Sequence, residues 1–476
     1  MLITLLLSIL VPCVAPAAPE PGDSGSPQGQ VLLYRPGEPP STAYPDLRAA
    51  IDSAADGDTL VLLPGVYRGP ENRDLLVTKD LVFLGQDVLG AVVIDCEGAG
   101  RAFDLVDARV GFGGIVFCNG EAPSELGGAI RFQGGQVAIE RCRFEGSSAS
   151  EGGAAGGIGQ MVIRASAFRD NQALNGGAVW LEGGGTIEDC LFEGNAAIGN
   201  GGALGFISTP PSPTVTMRSC VLRRNAAGRT GGAVAFLVSA AARLEGCLME
   251  ENRADSLGGG LGVGLLPAFG FVTLFDSVIR ANAAVDGGGG VYGPVGVLNC
   301  TIVENTTPAP VGAGVYGGTT SAPAVVVNSI LRDNVSTAPL LADQQASGIG
   351  GLFNLPQIDL LHCNIEGFAG PPPNFDADPL FRNAGGGDYS LLAGSACIDV
   401  GLTLGLQGTA IDFAGRPRVR GRAVDVGANE FSSAPTSRAE SASSRQRTPP
   451  GPASCGASST ASTGPPDQTP SRSPVS

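Results

Sequence analysis

Apolar and polar residues alternate along most of this chain in short runs broken by Gly, Asn and Asp, a period of two that predicts strands and turns rather than helices. One run recurs. It reads I-E-R-C-R-F from Ile139, I-R-A-S-A-F from Ile163, I-E-D-C-L-F from Ile187 and M-R-S-C-V-L from Met217. It returns as L-E-G-C-L-M from Leu244, L-F-D-S-V-I from Leu274, V-L-N-C-T-I from Val297 and V-V-N-S-I-L from Val326. The shared small residue is Cys142, Ser166, Cys190, Cys220, Cys247, Ser277, Cys300 and Ser329, at steps of 23 to 30 residues. Five positions beyond each of the last seven stands an asparagine: Asn171, Asn195, Asn225, Asn252, Asn282, Asn305 and Asn334. Gly pairs follow, as in Gly176-Gly177-Ala178-Val179 and Gly201-Gly202-Ala203-Leu204.

A period of that length with several short strands fits one coil of a parallel β-helix, whose successive coils stack about 4.8 Å apart and align equal positions in columns. The expectation is an all-β, right-handed parallel β-helix solenoid. The Cys/Ser column and the large apolar residue two further on point inward. Each Asn sits at a bend, bonding its own backbone and the amide of the next coil. The Gly pairs allow positive φ or close backbone approach. Before the repeats, Leu47, Ile51 and Ala54 share a helical face between Tyr44 and Ala55, predicting a short helix that caps the open end.

Charge sharpens this picture. Glu140, Arg164, Glu188, Arg218 and Glu245 stand two residues before the Cys/Ser column, and Glu145, Arg169, Glu193, Arg223, Glu250 and Arg280 three after it. Both columns alternate in sign from coil to coil, so neighbours attract, which points to structural carboxylates rather than catalytic ones. The whole chain of 476 residues carries a formal charge of -16, with a single His. That balance excludes nucleic acid as a partner and makes zinc or histidine-triad chemistry improbable.

The ends differ from the middle. Leu2 to Val14 is apolar and precedes Ala15-Pro16-Ala17-Ala18, which reads as a signal peptide over 1–18 and is too short for a membrane span. A Pro/Gly-rich lead-in (19–43) precedes β-helix repeats (44–375), C-terminal coils or a cap (376–431) and a Ser/Pro/Thr-rich tail (432–476) expected to be disordered. No integral membrane span is expected, and the predicted location is secreted or cell surface.

On these residues the chain resembles exported bacterial right-handed parallel β-helix proteins with the pectin-lyase-like fold. Ala49 to Tyr67 (A-A-I-D-S-A-A-D-G-D-T-L-V-L-L-P-G-V-Y) is similar to the opening segment of that group. The F-x-x-N of Phe168–Asn171 and Phe192–Asn195, with G-G-A, resembles the repeats of chlamydial-type polymorphic outer-membrane proteins, which implies a surface adhesin. D-P-L-F (Asp378–Phe381), G-D-Y-S-L (Gly387–Leu391), S-A-C-I-D-V-G (Ser395–Gly401) and D-V-G-A-N-E-F (Asp425–Phe431) resemble the choice-of-anchor Q domain. The resemblance covers residues 44 to 431.

Enzymatic candidates are few. A uronate lyase needs a cation for the substrate carboxylate and an Arg or Lys base, and the only lysine is Lys79. A glycoside hydrolase needs paired carboxylates. The weak candidates are Glu304 and Asp333, which hold the same repeat position on neighbouring coils and could share a proton or hold Ca²⁺; the alternative is two solvated turn residues. Asp376 and Asp378 read as turn caps before Ca²⁺ ligands, His362 as a satisfied side chain beside Cys363 in a degenerate coil, and Trp180 as packed before sugar-stacking. Cys190, Cys220 and Cys247 should form a ladder of buried thiols, whereas Cys96 with Cys118, or Cys363 with Cys397, are disulfide candidates. No cofactor is required. The expected function is a non-catalytic scaffold binding a polysaccharide or a host or surface protein, with a polysaccharide lyase or glycoside hydrolase as the alternative.

Overall fold

The structure, a computed structural model, describes residues 29–432 except 42, 208–213, 239–240, 265–270, 318–322, 338–348, 351–357, 369–371 and 404–410. The expected signal peptide, and the expected tail beyond residue 432, lie outside the described residues. What is described is a right-handed parallel β-helix built on sheets of 21, 12 and 9 strands.

One coil shows how the sequence makes the fold. A long strand, Val179–Glu188, is followed by the short strand Leu191–Glu193 and then by Ala196–Ala197. The next coil repeats them in register, Phe192 opposite Leu222 and Glu193 opposite Arg223. Both ends of the short strand bend through a left-handed residue, Asp189 (φ 55) and Gly194 (φ 68). The same pair recurs in later coils, down to Asn328 (φ 50) and Asp333 (φ 55). Asp, Asn and Gly tolerate this conformation at little cost, and two such bends bring three strands around a narrow core.

Inside the corners the two sequence columns do different jobs. Every Asn of the column from Asn171 to Asn334 is buried. Asn252 Oδ1 accepts from the backbone N–H (3.0 Å) and Nδ2 (2.9 Å) of Asn225 in the preceding coil. Its own Nδ2 donates to Leu222 O and onward to Asn282 Oδ1, both at 2.9 Å. The ladder therefore runs between coils; a bond to the asparagine's own strand is found at Asn305, whose Nδ2 reaches Val303 O at 3.0 Å. In the Cys/Ser column, Ser166 Oγ donates to Arg164 O (2.7 Å) and Cys190 Sγ to Glu188 O (3.1 Å), each across its left-handed bend. A small side chain with one donor is what that place requires, which explains why Cys and Ser alternate there. Two residues on, Phe117, Phe144, Phe168 and Phe192 stack at 4.7, 4.7 and 4.9 Å between ring centroids. The Gly pairs divide the two expected roles: Gly201 takes φ 68, while a Cβ on Gly202 would strike Gly232 O of the next coil.

The predicted capping helix is present as α1 (Leu47–Ser53), with Asp46 as N-cap and Leu47, Ala50 and Ile51 buried. Lys79 Nζ donates to the carbonyls of Ile51 (2.9 Å) and Ala54 (2.7 Å), closing the helix C-terminus. Within the lead-in, Val31–Tyr34 forms a strand antiparallel to Thr59–Leu62. It covers the first edge of the solenoid together with α1, and its alternation was hidden among the surrounding Pro and Gly residues.

Beyond Asn364 the chain does not simply add coils. It turns back along the outside of the solenoid over the short-strand sheet. Val278 and Val303 pack with Tyr389 and Ala428, and Ile330 with Leu391, Cys397 and Val426. Ala428 N donates to Thr301 Oγ1 (3.1 Å), Gly427 N to Asn328 O (2.7 Å), and Leu402 N to Asn328 Oδ1 (2.7 Å). In the column that runs Glu193, Arg223, Glu250 and Arg280, Val303 replaces the expected charge where the segment docks, beside Val278, Thr301 and Ile330 of the neighbouring outward column, which carries Leu191, Val221 and Leu248 in earlier coils. The break in charge alternation marks a covered surface.

Candidate functional site

Among the described residues the outward side chains of the solenoid form an extended polar surface, and most of its charges face each other. Glu188 lies between Arg164 (2.9 Å) and Arg218 (3.1 Å), and Arg218 also reaches Glu245 (3.4 Å). Three residues beyond the Cys/Ser column, Glu193 meets Arg169 (3.3 Å), Arg223 (2.9 Å) and Arg224, while Arg280 meets Glu250 (2.6 Å). The hydrogen bond from Arg164 leads the effects that hold Glu188 below its ordinary pKa. At Glu193 burial opposes ionisation, yet Arg223, Arg224 and Arg169 outweigh it.

The cations are held just as firmly. On the long-strand sheet Arg131 bridges Asp104 (2.5 Å) and Glu125 (2.7 Å), and Arg101 shares Glu125 (2.6 Å). The bond to Asp104 raises the pKa of Arg131 above normal. Burial lowers that of Arg218 and Arg280, but Glu188 and Glu245 for the first and Glu250 for the second more than offset it. A base for β-elimination has to give up its proton before it can take one, and carboxylate partners act in the opposite sense. Lys79 is consumed by the helix terminus.

Glu304 and Asp333 sit on neighbouring coils at the left-handed bend before the Asn ladder, with φ of 60 and 55. Glu304 is half-buried, with Tyr389 of the returning segment close by; Asp333 is exposed, and its backbone N–H donates to Glu366 Oε2 at 2.7 Å. Their column also contains Asp170, Gly194, Arg224, Glu251 and Ala281, all at positive φ, so the position selects for a bend and not for a carboxylate. Among the described residues no group of three or more His, Cys, Asp or Glu side chains is arranged to hold a metal ion.

The other candidates find structural partners. Asp376 binds Arg332 (2.7 Å) and accepts from Gly367 N, and Asp378 accepts from Leu380 N (2.8 Å) in a turn. His362 Nδ1 lies 3.0 Å from Val400 O. Trp180 is 5% exposed and covers Gly205, with Tyr292 and Tyr316 similarly buried in its column (5% and 7%), so these rings offer no free face to a sugar. A shallow cleft of about 450 Å³ beside α1 is lined by Asp46, Arg68 and Glu71, which are engaged by Ala49 N, Asp95 and Arg48.

The proposed disulfides are not formed: Cys96, Cys363 and Cys397 are free and buried. Asp95, not Cys96, is in register with Cys118, and the one-residue offset sends Cys96 into the main core without Cys118. Cys363 belongs to that core, and Cys397 to a separate cluster under the returning segment. The ladder Cys190, Cys220 and Cys247 is reduced and buried as expected. Burial pushes the Cys142 thiol up to about 12 and that of Cys220 well above normal. An alkylating reagent at pH 8 should therefore leave Cys142, Cys190, Cys220, Cys247 and Cys300 unmodified in the native protein and label all five in urea, as read by mass spectrometry. Native labelling of this set would contradict the inward placement.

The family profile described as right handed beta helix region matches residues 124–268. No curated protein matches the chain. The crystal structure of pectate lyase Pel9A is similar at 13% identity and a TM-score of 0.43, covering 81% of this chain and 90% of that one. The structure of the PL6 family alginate lyase AlyGC is similar at 15% identity and a TM-score of 0.36, covering 70% of this chain and 52% of that one. Neither similarity bears on chemistry.

Proposed function

We propose that this chain is an exported, non-catalytic β-helix scaffold that binds a polysaccharide or protein at or outside a cell surface. The observation that carries the reading is the pairing of its outward charges: Arg131, Arg164, Arg169, Arg218, Arg223 and Arg280 are each held by carboxylates. Rigid coils with internally neutralised faces make a long, stiff support whose exposed bends and loops vary freely. The resemblance of the F-x-x-N and G-G-A repeats to surface adhesins, and of the C-terminal motifs to the choice-of-anchor Q domain, agrees with this role. The apolar segment Leu2–Val14, read as a signal peptide, supports export.

The test is binding of the full chain to immobilised surface polysaccharides and surface proteins, followed by sizing of the ligand. Saturable binding with ligand length unchanged is the expected result. Shortening of a bound polymer in the same sample would count against the scaffold and favour a lyase or hydrolase.

A further inference from the structure

The returning segment is fixed to the solenoid through a cluster of ionisable groups that the binding reading does not use. Asp276, at the bend before Ser277, is 0% exposed; Asp412, Arg418, Asp425 and Glu430 of the returning segment are 3%, 2%, 2% and 1% exposed. Arg418 stands between Asp276 (3.2 Å) and Glu430 (3.4 Å) and donates to Gly427 O (2.7 Å). Arg416 pairs with Asp412 at 3.5 Å and donates to Glu430 O at 2.6 Å. Asp425 accepts from Asp399 N (2.8 Å) and Phe431 N (2.5 Å), and Glu430 Oε1 accepts from Asp425 N (3.0 Å). Thus four buried carboxylates (Asp276, Asp412, Asp425 and Glu430) gather around two guanidiniums, that of Arg418 buried and that of Arg416 partly exposed.

Such an excess of buried negative charge is relieved most simply by a proton. We propose that Ile411 to Phe431 is a proton-held strap, latched over Val278, Val303 and Ile330 while Glu430 is a neutral carboxylic acid and loosened when that group ionises. Burial, reinforced by Asp425 and Asp412 and opposed by Arg418, pushes Glu430 up to about 8, and burial also raises Asp425. Asp399 acts on Asp425, and Arg420, Asp388 and Arg382 surround Arg416; on the solenoid side Asp276 and the Cys300 thiol face Arg418. Because the folded pKa lies above that of the free side chain, the latch is fully present below the free-acid pKa and is lost as pH rises through the folded value. Opening uncovers an apolar strip on the short-strand sheet together with Thr301 and Asn328.

The experiment is amide exchange at residues 424–431 in the full chain across pH, normalised to intrinsic rates from the unfolded chain. In wild type the opening equilibrium should rise by about tenfold per pH unit up to about 8 and then level. Glu430→Gln, which keeps an acceptor for Asp425 N but cannot ionise, should show no slope. A wild type without the slope, or a Glu430→Gln chain that retains it, overturns the proposal. Should Glu430→Gln not fold, Asp425→Asn removes the like charge and should bring the levelling to lower pH; an unmoved plateau likewise overturns it.

Discussion

Asn252→Ala should destabilise the solenoid by about 3–6 kcal/mol, read as the shift of the urea midpoint times the slope of the transition. The side chain supplies both acceptor contacts for Asn225 and both donor contacts to Leu222 and Asn282. Its loss strands the two donors of Asn225 and removes the side-chain donor to Leu222 O, while Asn282 Oδ1 keeps the Asn252 N–H, in a corner where Asn225, Asn252 and Asn282 are at most 1% exposed. Each stranded buried group costs roughly 1–3 kcal/mol, and partial relaxation keeps the sum below the simple total. Asn252→Asp should be at least as damaging, since it retains the acceptors, loses the donors and buries a charge. As a control, Asn200→Ala removes a side chain that is half-buried and makes one side-chain bond to Asn175, and should cost under about 1 kcal/mol. Equal costs at Asn252 and Asn200 would contradict the ladder.

Arg418→Met should release the returning segment at a local cost of about 3–5 kcal/mol, because it removes the buried guanidinium that faces both Asp276 and Glu430. The expected signature is protease cleavage within residues 397–431 under conditions where the coils before Asp276 keep their exchange protection. The double change Arg418→Met with Asp276→Leu should recover part of the loss, since a buried pair replaced by apolar groups of similar volume is close to neutral. Cleavage that is no faster than wild type in Arg418→Met would show that the apolar contacts of Val278, Val303 and Ile330 hold the segment alone.

The coil repeat was legible because inward positions admit few residue types. Only Asn satisfies donors and acceptors of two coils at once, and only a small donor such as Cys or Ser spans the bend after the long strand. The left-handed bends were not legible, because any residue that tolerates positive φ serves there: Arg141, Ala165, Asp189 and Ser219 occupy equivalent places. Glu304 and Asp333 stand in an equally permissive column, whose other members include Gly194, Arg224 and Ala281. The uncharged Val303 that follows Arg280 in its column has its cause about a hundred residues downstream, where Tyr389 and Ala428 pack against it. Register between distant segments leaves no periodic trace. For the same reason Cys96 and Cys118 looked suited to a bridge until a one-residue offset separated them.

In the proposed scaffold the outward charges support the coils and do not carry out a reaction. This is tested most directly by incubating the purified full chain with polyuronates and neutral polysaccharides, with and without Ca²⁺, and measuring new reducing and unsaturated chain ends. No release is expected from any polymer with protein whose cooperative unfolding shows it to be folded. Steady release that disappears in Glu304→Gln, Asp333→Asn or Arg131→Ala would contradict it and place an active site on the outer face of the solenoid.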